Sequence, residues 1–296
     1  MILPNVIVPW KSNLDELYEF DTPDNPKDCV NKKWFDEYPH EIRYTYNSRG
    51  FRDEEWPSQI EELKDSVWCI GDSATIGVGV SRDQMWTTIL SKKINSRVVN
   101  IGMTGASNDW IYRKSSDVMQ GVSPKILIIQ WSYLESCELN VEEELTRRFS
   151  MYYNSIKDKS WPDCPTFSDY HTLPEHIRIE CETAHEIDPR VDWRVTFDEY
   201  DIKRFCSSDT YEEDVMRTIG YIKSLSEYAT KESRIIHVYP AKFINKKSEK
   251  LFTREISNIS CETIPKMETI DWARDYYHYG LLSAQKFVDD IVQKIG

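Results

Sequence analysis

Several kinds of segment are missing from this 296-residue chain. No apolar run approaches the roughly 20 residues a helix needs to cross a bilayer, so a membrane span is not expected. No dense basic stretch occurs either: 37 Lys and Arg face 50 Asp and Glu, a formal charge of −13. A surface of that sign repels phosphates, which argues against nucleic acid as a partner. The most basic segment, residues 242–250 (KFINKKSEK), carries its own acid and reads as a solvated loop or helix. The first ten residues have two prolines and no basic leader, unlike a secretory signal, so the expected location is cytoplasmic or virion-associated. No repeat period is visible.

Close cysteine pairs are also lacking. The seven cysteines stand at 29, 69, 137, 164, 181, 206 and 261, a spacing that suits free thiols in a reducing compartment; a bridge among Cys164, Cys181 and Cys206 stays open. His171, His176, His185 and Asp188 lie near Cys164 and Cys181, but without a Cys-x-x-Cys or His-Glu-x-x-His unit they make no zinc set, and no metal is expected.

What the chain does have is enough apolar residue, 40%, for one large core, and an aromatic content of 12%. Such rings fill cores, line sugar-binding grooves and form interfaces. Apolar strands are expected at 66–70, 97–101, 125–131 and 234–239, the last stopped by Pro240. Helices are expected at 80–92, 111–119, 142–156, 211–228 and 281–295. The first carries Trp86, Ile89 and Leu90 on one side, and the last a stripe of Ala284, Phe287, Val288, Ile291 and Val292. Strands alternating with helices predict a three-layer α/β/α sandwich around a mostly parallel, five-stranded sheet of flavodoxin-like type. Residues 1–45, rich in Pro, Asp, Trp and Tyr, read as an N-terminal arm packed on a domain of residues 46–296. Within that domain, residues 160–210, punctuated by Pro162, Pro165, Pro174 and Pro189, read as an insertion shaping the substrate cleft. The oligomeric state is open, with the arm as the candidate for assembly contacts.

The segment Trp68-Cys69-Ile70-Gly71-Asp72-Ser73 concentrates the chemistry. It reads as a buried strand ending in a tight turn that delivers Ser73 to the start of a helix, beside backbone N–H groups able to hold an anion. A serine hydroxyl needs a base, and the base an orienting group. Asp275-Tyr276-Tyr277-His278 offers both: His278 as base, Asp275 to set its tautomer. Donors for a developing oxyanion are the backbone N–H groups of Ser73 and Gly105 and the side-chain amide of Asn108, which otherwise caps or braces the helix beginning near Asp109. Asp72 is expected to fix the serine turn. Trp131 either walls the pocket or caps the sheet, His237 reads as a core histidine, and Arg49 and Arg113 as ion-pair partners or contacts to an acidic substrate group.

These blocks resemble the SGNH/GDSL hydrolase superfamily. Gly71-Asp72-Ser73 is similar to its first block, Gly105 to the glycine of its second, and Asp275-x-x-His278 to its last. The segments 47–52 and 71–80 resemble a branch found in bacteria and phages. The resemblance covers residues 47 to the C-terminus except 160–210. It implies an SGNH-hydrolase-like fold, no metal or organic cofactor, and a serine esterase with Ser73, His278 and Asp275 as its triad. One block departs: where the family has Gly-x-Asn-Asp, this chain has Gln130-Trp131-Ser132-Tyr133. Asn108, Gln130 or Ser132 would have to replace the missing oxyanion donor, whose loss costs about 3–4 kcal/mol.

The expected function is removal of a short, acetyl-like acyl group from a carbohydrate or similar polar ester. Two alternatives stand beside it. One is a silent structural or glycan-binding module of a viral or cell-surface assembly. The other is an O-acyltransferase using the same triad.

Overall fold

Alternation along the strands decides the layers. In the computed structural model, which describes residues 6–8, 11–19, 22–134, 138–140, 145–146, 210–230, 232–240 and 246–296, five parallel strands form the central sheet. They are β3 (Val67–Gly71), β4 (Val98–Gly102), β5 (Ile126–Gln130), β8 (Arg234–Val238) and β9 (Glu262–Ile264), in the spatial order β4-β3-β5-β8-β9. Trp68, Ile70, Val99, Ile101, Leu127, Ile129 and Ile235 point to one face. They meet α4 (Asn108–Gly121), α5 (Thr210–Ser226) and α6 (Lys246–Ile256). Val67, Cys69, Val98, Ile128, Ile236, Val238 and Ile264 point to the other, against α3 (Trp86–Ile94) and α7 (Leu281–Ile295). This is the expected α/β/α sandwich. The order reverses around β3, the first strand of the sheet, so the crevice at the carboxyl ends of β3 and β5 is the topological switch point where doubly wound folds bind ligands.

The turn after β3 sits on that edge because two strand-end residues admit it. Gly71 and Gly102 are register partners. The four-residue helix α2 (Ser73–Ile76) lies so close to Gly102 that a Cβ there would stand 2.4 Å from the Ile76 backbone nitrogen. Beside it the buried Asn100 donates to the Thr75 carbonyl (2.8 Å) and to Thr87 Oγ1 (3.1 Å), and accepts from the Gly102 N–H (2.8 Å). Strand β4 therefore grips α2 through backbone approach on one residue and an amide on another.

Ahead of the sheet, β1 (Asp15–Glu16) pairs antiparallel with β2 (Tyr44–Thr45), and α1 (Lys32–Glu37) is capped by the Asn31 side chain. The 47–52 segment closes on the Asn47 carbonyl oxygen of the side chain, which accepts from the Arg49 and Phe51 N–H groups. Arg52, buried over the Tyr44 ring, donates to the carbonyls of Gly77 (2.5 Å) and Val80 (2.9 Å) and so holds the loop that follows α2.

Three expectations change. The helix expected from residue 80 begins at Trp86, because Met85 is extended and a short 3-10 turn, Arg82–Gln84, precedes it. Within the helix expected at 142–156, β7 (Leu145–Thr146) instead pairs antiparallel with β6 (Glu138–Asn140), each strand satisfying the other's backbone groups; the remaining residues lie outside the described ones. The fifth strand, β9, was not placed from the sequence. The insertion expected at 160–210 lies outside the described residues except for Thr210, which opens α5. No described helix is long and apolar enough to cross a membrane.

Gly102→Ala tests the grip on α2. The added methyl meets backbone rather than a movable side chain, so it should destabilise by about 2–3 kcal/mol. Urea unfolding should show a lower midpoint at unchanged slope.

Candidate active site

Strand β3 ends at Gly71, and Asp72 turns the chain into α2 by accepting the Ala74 N–H (3.0 Å) on its side chain. Burial raises the Asp72 pKa above its ordinary value, although the Ala74 N–H, the Ser132 hydroxyl and the His278 charge pull it down. Ser73 emerges at the first position of α2, half-buried.

The second half comes from the turn before α7. Asp275 is fully buried, and one of its oxygens accepts the backbone N–H groups of Tyr277 and His278, both at 2.9 Å. Tyr276, between Asp275 and Tyr277, takes φ +56°, a left-handed conformation rarely adopted by aromatic residues. The Ala273 N–H closes the turn on the His278 carbonyl (2.9 Å). The other Asp275 oxygen accepts from His278 Nδ1, and His278 Nε2 lies 2.8 Å from Ser73 Oγ. A carboxylate can only accept from Nδ1–H, so the neutral ring presents a bare Nε2 to the Ser73 hydroxyl, which donates.

Burial alone would lower the His278 pKa. The Asp275 charge and hydrogen bond, with Asp72 and Asp24 behind them, outweigh it and hold the imidazole above its ordinary value. Burial pushes Asp275 the other way, but the His278 charge and hydrogen bonds and the two turn N–H groups keep it below the usual carboxylate value.

Two backbone donors on the loops after β3 and β4 are unused. Among the described residues, neither the Ser73 N–H nor the Gly105 N–H has an internal acceptor. Gly105 (φ +70°) lies in the loop after β4, held by Met103 N–H on the Gly71 carbonyl (3.0 Å) and Ala106 N–H on the Met103 carbonyl (3.1 Å).

The side-chain candidates are turned elsewhere. The amide of Asn108, fully buried, donates to the Tyr133 carbonyl (3.2 Å) and Thr218 Oγ1 (3.3 Å), and accepts the Ser132 N–H (2.9 Å). Both its N–H groups are committed to bracing the β5 loop and α5. The cap of α4 is Ser107, which accepts the Trp110 N–H (3.0 Å). Gln130 accepts from the Thr75 hydroxyl and ties α2 to β5. Trp131 continues the Leu127–Ile129 face into the core, where it stacks on His237 and donates to its Nδ1 (3.3 Å). Burial lowers the His237 pKa to about 3, as suits a neutral core histidine. The Ser132 hydroxyl binds Asp72.

Sequence reasoning passed over three phenols at this site. Tyr133 hydrogen-bonds to Tyr277 and lies near Asp72, and burial raises its pKa strongly. Burial pushes Tyr279 up to about 12, with Asp72 and Tyr277 adding to it. Tyr277, partly exposed, packs its ring edge-on to His278, 5.2 Å between centroids. All three flank residues already singled out, which was the available signal. Among the described residues no cluster of three or more His, Cys, Asp or Glu is arranged to hold a metal ion.

No family model and no curated protein sequence matches this chain. Among solved structures it is similar to TesA, at 9% identity over 78% of this chain and 98% of that one, TM-score 0.42. It is similar to the acetyl xylan esterase AlAXEase, at 11% identity over 78% and 100%, TM-score 0.42. A third is the psychrotrophic esterase EstA from Pseudoalteromonas sp. inhibited by monoethylphosphonate, at 10% over 78% and 96%, TM-score 0.40. At these scores the likeness carries no functional weight.

Two measurements check the geometry of the site. In an NMR titration His278 should titrate above its ordinary 6.5, and Asp275→Asn should lower it, since burial then loses its main counterweight and only Asp72 and Asp24 still oppose it. The charged pair stabilises between the depressed Asp275 pKa and the raised His278 pKa, and that contribution fades as pH rises through the latter. Asn108→Ala, which orphans buried partners on two elements, should cost about 2–3 kcal/mol in urea unfolding while leaving the His278 titration in place.

Proposed function

We propose that this protein is a serine ester hydrolase acting on short acyl groups carried by a carbohydrate or similar polar alcohol. The observation that carries the reading is the unbroken chain from buried Asp275 through His278 to Ser73 Oγ at 2.8 Å. In this reading His278 Nε2 takes the hydroxyl proton as Ser73 Oγ attacks the ester carbonyl. The carbonyl oxygen becomes negative and is held by the Ser73 and Gly105 N–H groups. Collapse expels the alcohol, which takes the proton back from His278 and leaves an acyl-serine. Water, deprotonated by the same imidazole, releases the acid and restores the hydroxyl. Asp275 keeps Nδ1 protonated and offsets the imidazolium charge at each stage.

The polar-alcohol part is supported by the rings around the Asp275–His278 turn. Trp34, Trp272, Tyr276 and Tyr277 are each 37–41% exposed. Trp34 and Trp272 stand 5.6 and 5.7 Å from Tyr276. Flat amphipathic faces of this kind suit sugar rings better than a mobile acyl chain. With Asn108 engaged elsewhere, the hole has one side-chain donor fewer, which predicts modest turnover.

Ser73→Ala should abolish both fluorophosphonate labelling and hydrolysis of a short acetyl ester while the fold persists. Asp275→Asn should keep measurable residual activity, reduced by about 10⁴-fold. Across acyl chain lengths kcat/KM should be highest for acetyl and propionyl, and a rise from two to twelve carbons would contradict the substrate assignment.

A further inference from the structure

Two fully buried carboxylates of the N-terminal segment make no hydrogen bond to Ser73, His278 or Asp275, yet each is tied to a loop of the candidate site. Glu19 accepts from Lys11 Nζ, from the Tyr46 hydroxyl and from Thr104 Oγ1 (2.9 Å), and its backbone carbonyl accepts the Thr22 hydroxyl (3.0 Å). Thr104 immediately precedes Gly105. Asp24 accepts from the Tyr44 hydroxyl, whose oxygen in turn accepts the Gly79 N–H (2.8 Å). Gly79 is the floor under the acid: its φ is +77°, a Cβ there would stand 3.1 Å from Asp275 Cγ, and its carbonyl accepts the Arg274 N–H (2.8 Å). A third contact joins the same regions, from Trp34 Nε1 to the Ala273 carbonyl (2.8 Å).

Burying a carboxylate is costly unless its oxygens are met by donors, and an apolar side chain would fill either place more cheaply. Glu19 is met by Lys11, Tyr46 and Thr104, and Asp24 by the Tyr44 hydroxyl on one oxygen, its Oδ1 having no partner among the described residues; the first set ends on the Thr104 side chain of one site loop, the second continues to the Gly79 N–H of another. Glu19 reaches the loop carrying the Gly105 N–H, and Asp24 the loop seating Asp275. The two grips share no residue: one is on the residue before Gly105, the other on the glycine against Asp275.

We propose that the N-terminal segment is a positioning element of the candidate active site: Glu19, through Thr104, sets the Gly105 N–H, and Asp24, through Tyr44 and Gly79, seats Asp275. The kinetic consequence rests on the hydrolase reading; the structural tether does not. A displacement of a reacting group by about 1 Å costs on the order of a hundredfold in rate, so the loss of one tether should be read mainly in kcat.

The test uses the full chain with Thr104→Val, Thr104→Ser and Tyr44→Phe. It follows kcat and KM on a short acetyl ester, melting temperature, and amide hydrogen exchange of peptides spanning 100–107. Thr104→Val should lower kcat about 10- to 100-fold at nearly constant KM and speed exchange in that peptide. Thr104→Ser, which keeps the hydroxyl, should restore both. Tyr44→Phe should lower kcat without changing exchange at 100–107, separating the two grips. Unchanged exchange in Thr104→Val overturns the Glu19 tether whether or not the protein turns over esters. Unchanged kcat in an active protein, in either Thr104→Val or Tyr44→Phe, overturns the positioning role. A wild-type protein inert to ester and to fluorophosphonate would count against the hydrolase reading alone, while the exchange arm still decides the tether.

Discussion

The Asp275 carboxylate has no contact with solvent, and the groups that make its charge tolerable organise the site. One oxygen takes two N–H groups of its own turn, which requires the left-handed backbone at Tyr276. The other takes His278 Nδ1, which fixes the ring and aims Nε2 at Ser73. Behind it stands Gly79, where no side chain would fit, held by Arg52 on one flank and Tyr44 on the other. A buried charge satisfied in this way is rigid, because any displacement leaves an oxygen unpaired.

Much of this was legible in the sequence because its signals are local. A continuous apolar run followed by Gly-Asp-Ser specifies strand, turn and cap within seven residues, and the Asp-x-x-His spacing brings two side chains together without tertiary help. The strands β3, β4, β5 and β8 each alternate between two packed faces, so their order of appearance already implied a covered parallel sheet. Strand β9 was not legible: Glu262–Ile264 offers one buried apolar residue, Ile264, and owes its conformation to pairing with β8.

The surroundings of the candidate side chains were not legible for a different reason. Where an amide points depends on what surrounds it, and the partners of Asn108 are Tyr133 and Thr218, the latter 110 residues away. Gln130 and Trp131 are likewise claimed by Thr75 and His237. The acids of the N-terminal segment were hidden by their company: in a stretch rich in Pro and Asp, nothing local marks Glu19 and Asp24 as buried. Their partners Tyr44, Tyr46 and Thr104 lie 20, 27 and 85 residues further along the chain.

The central claim is that Ser73, activated by His278, forms a covalent bond to the acyl group. Rapid mixing with an activated acetyl ester, acid quench and intact-protein mass spectrometry test it directly, with the adduct then mapped by proteolysis. The account predicts a transient species heavier by one acetyl group, located on Ser73 and absent from both Ser73→Ala and His278→Ala. An adduct on another residue, or one that persists undiminished in His278→Ala, would contradict it.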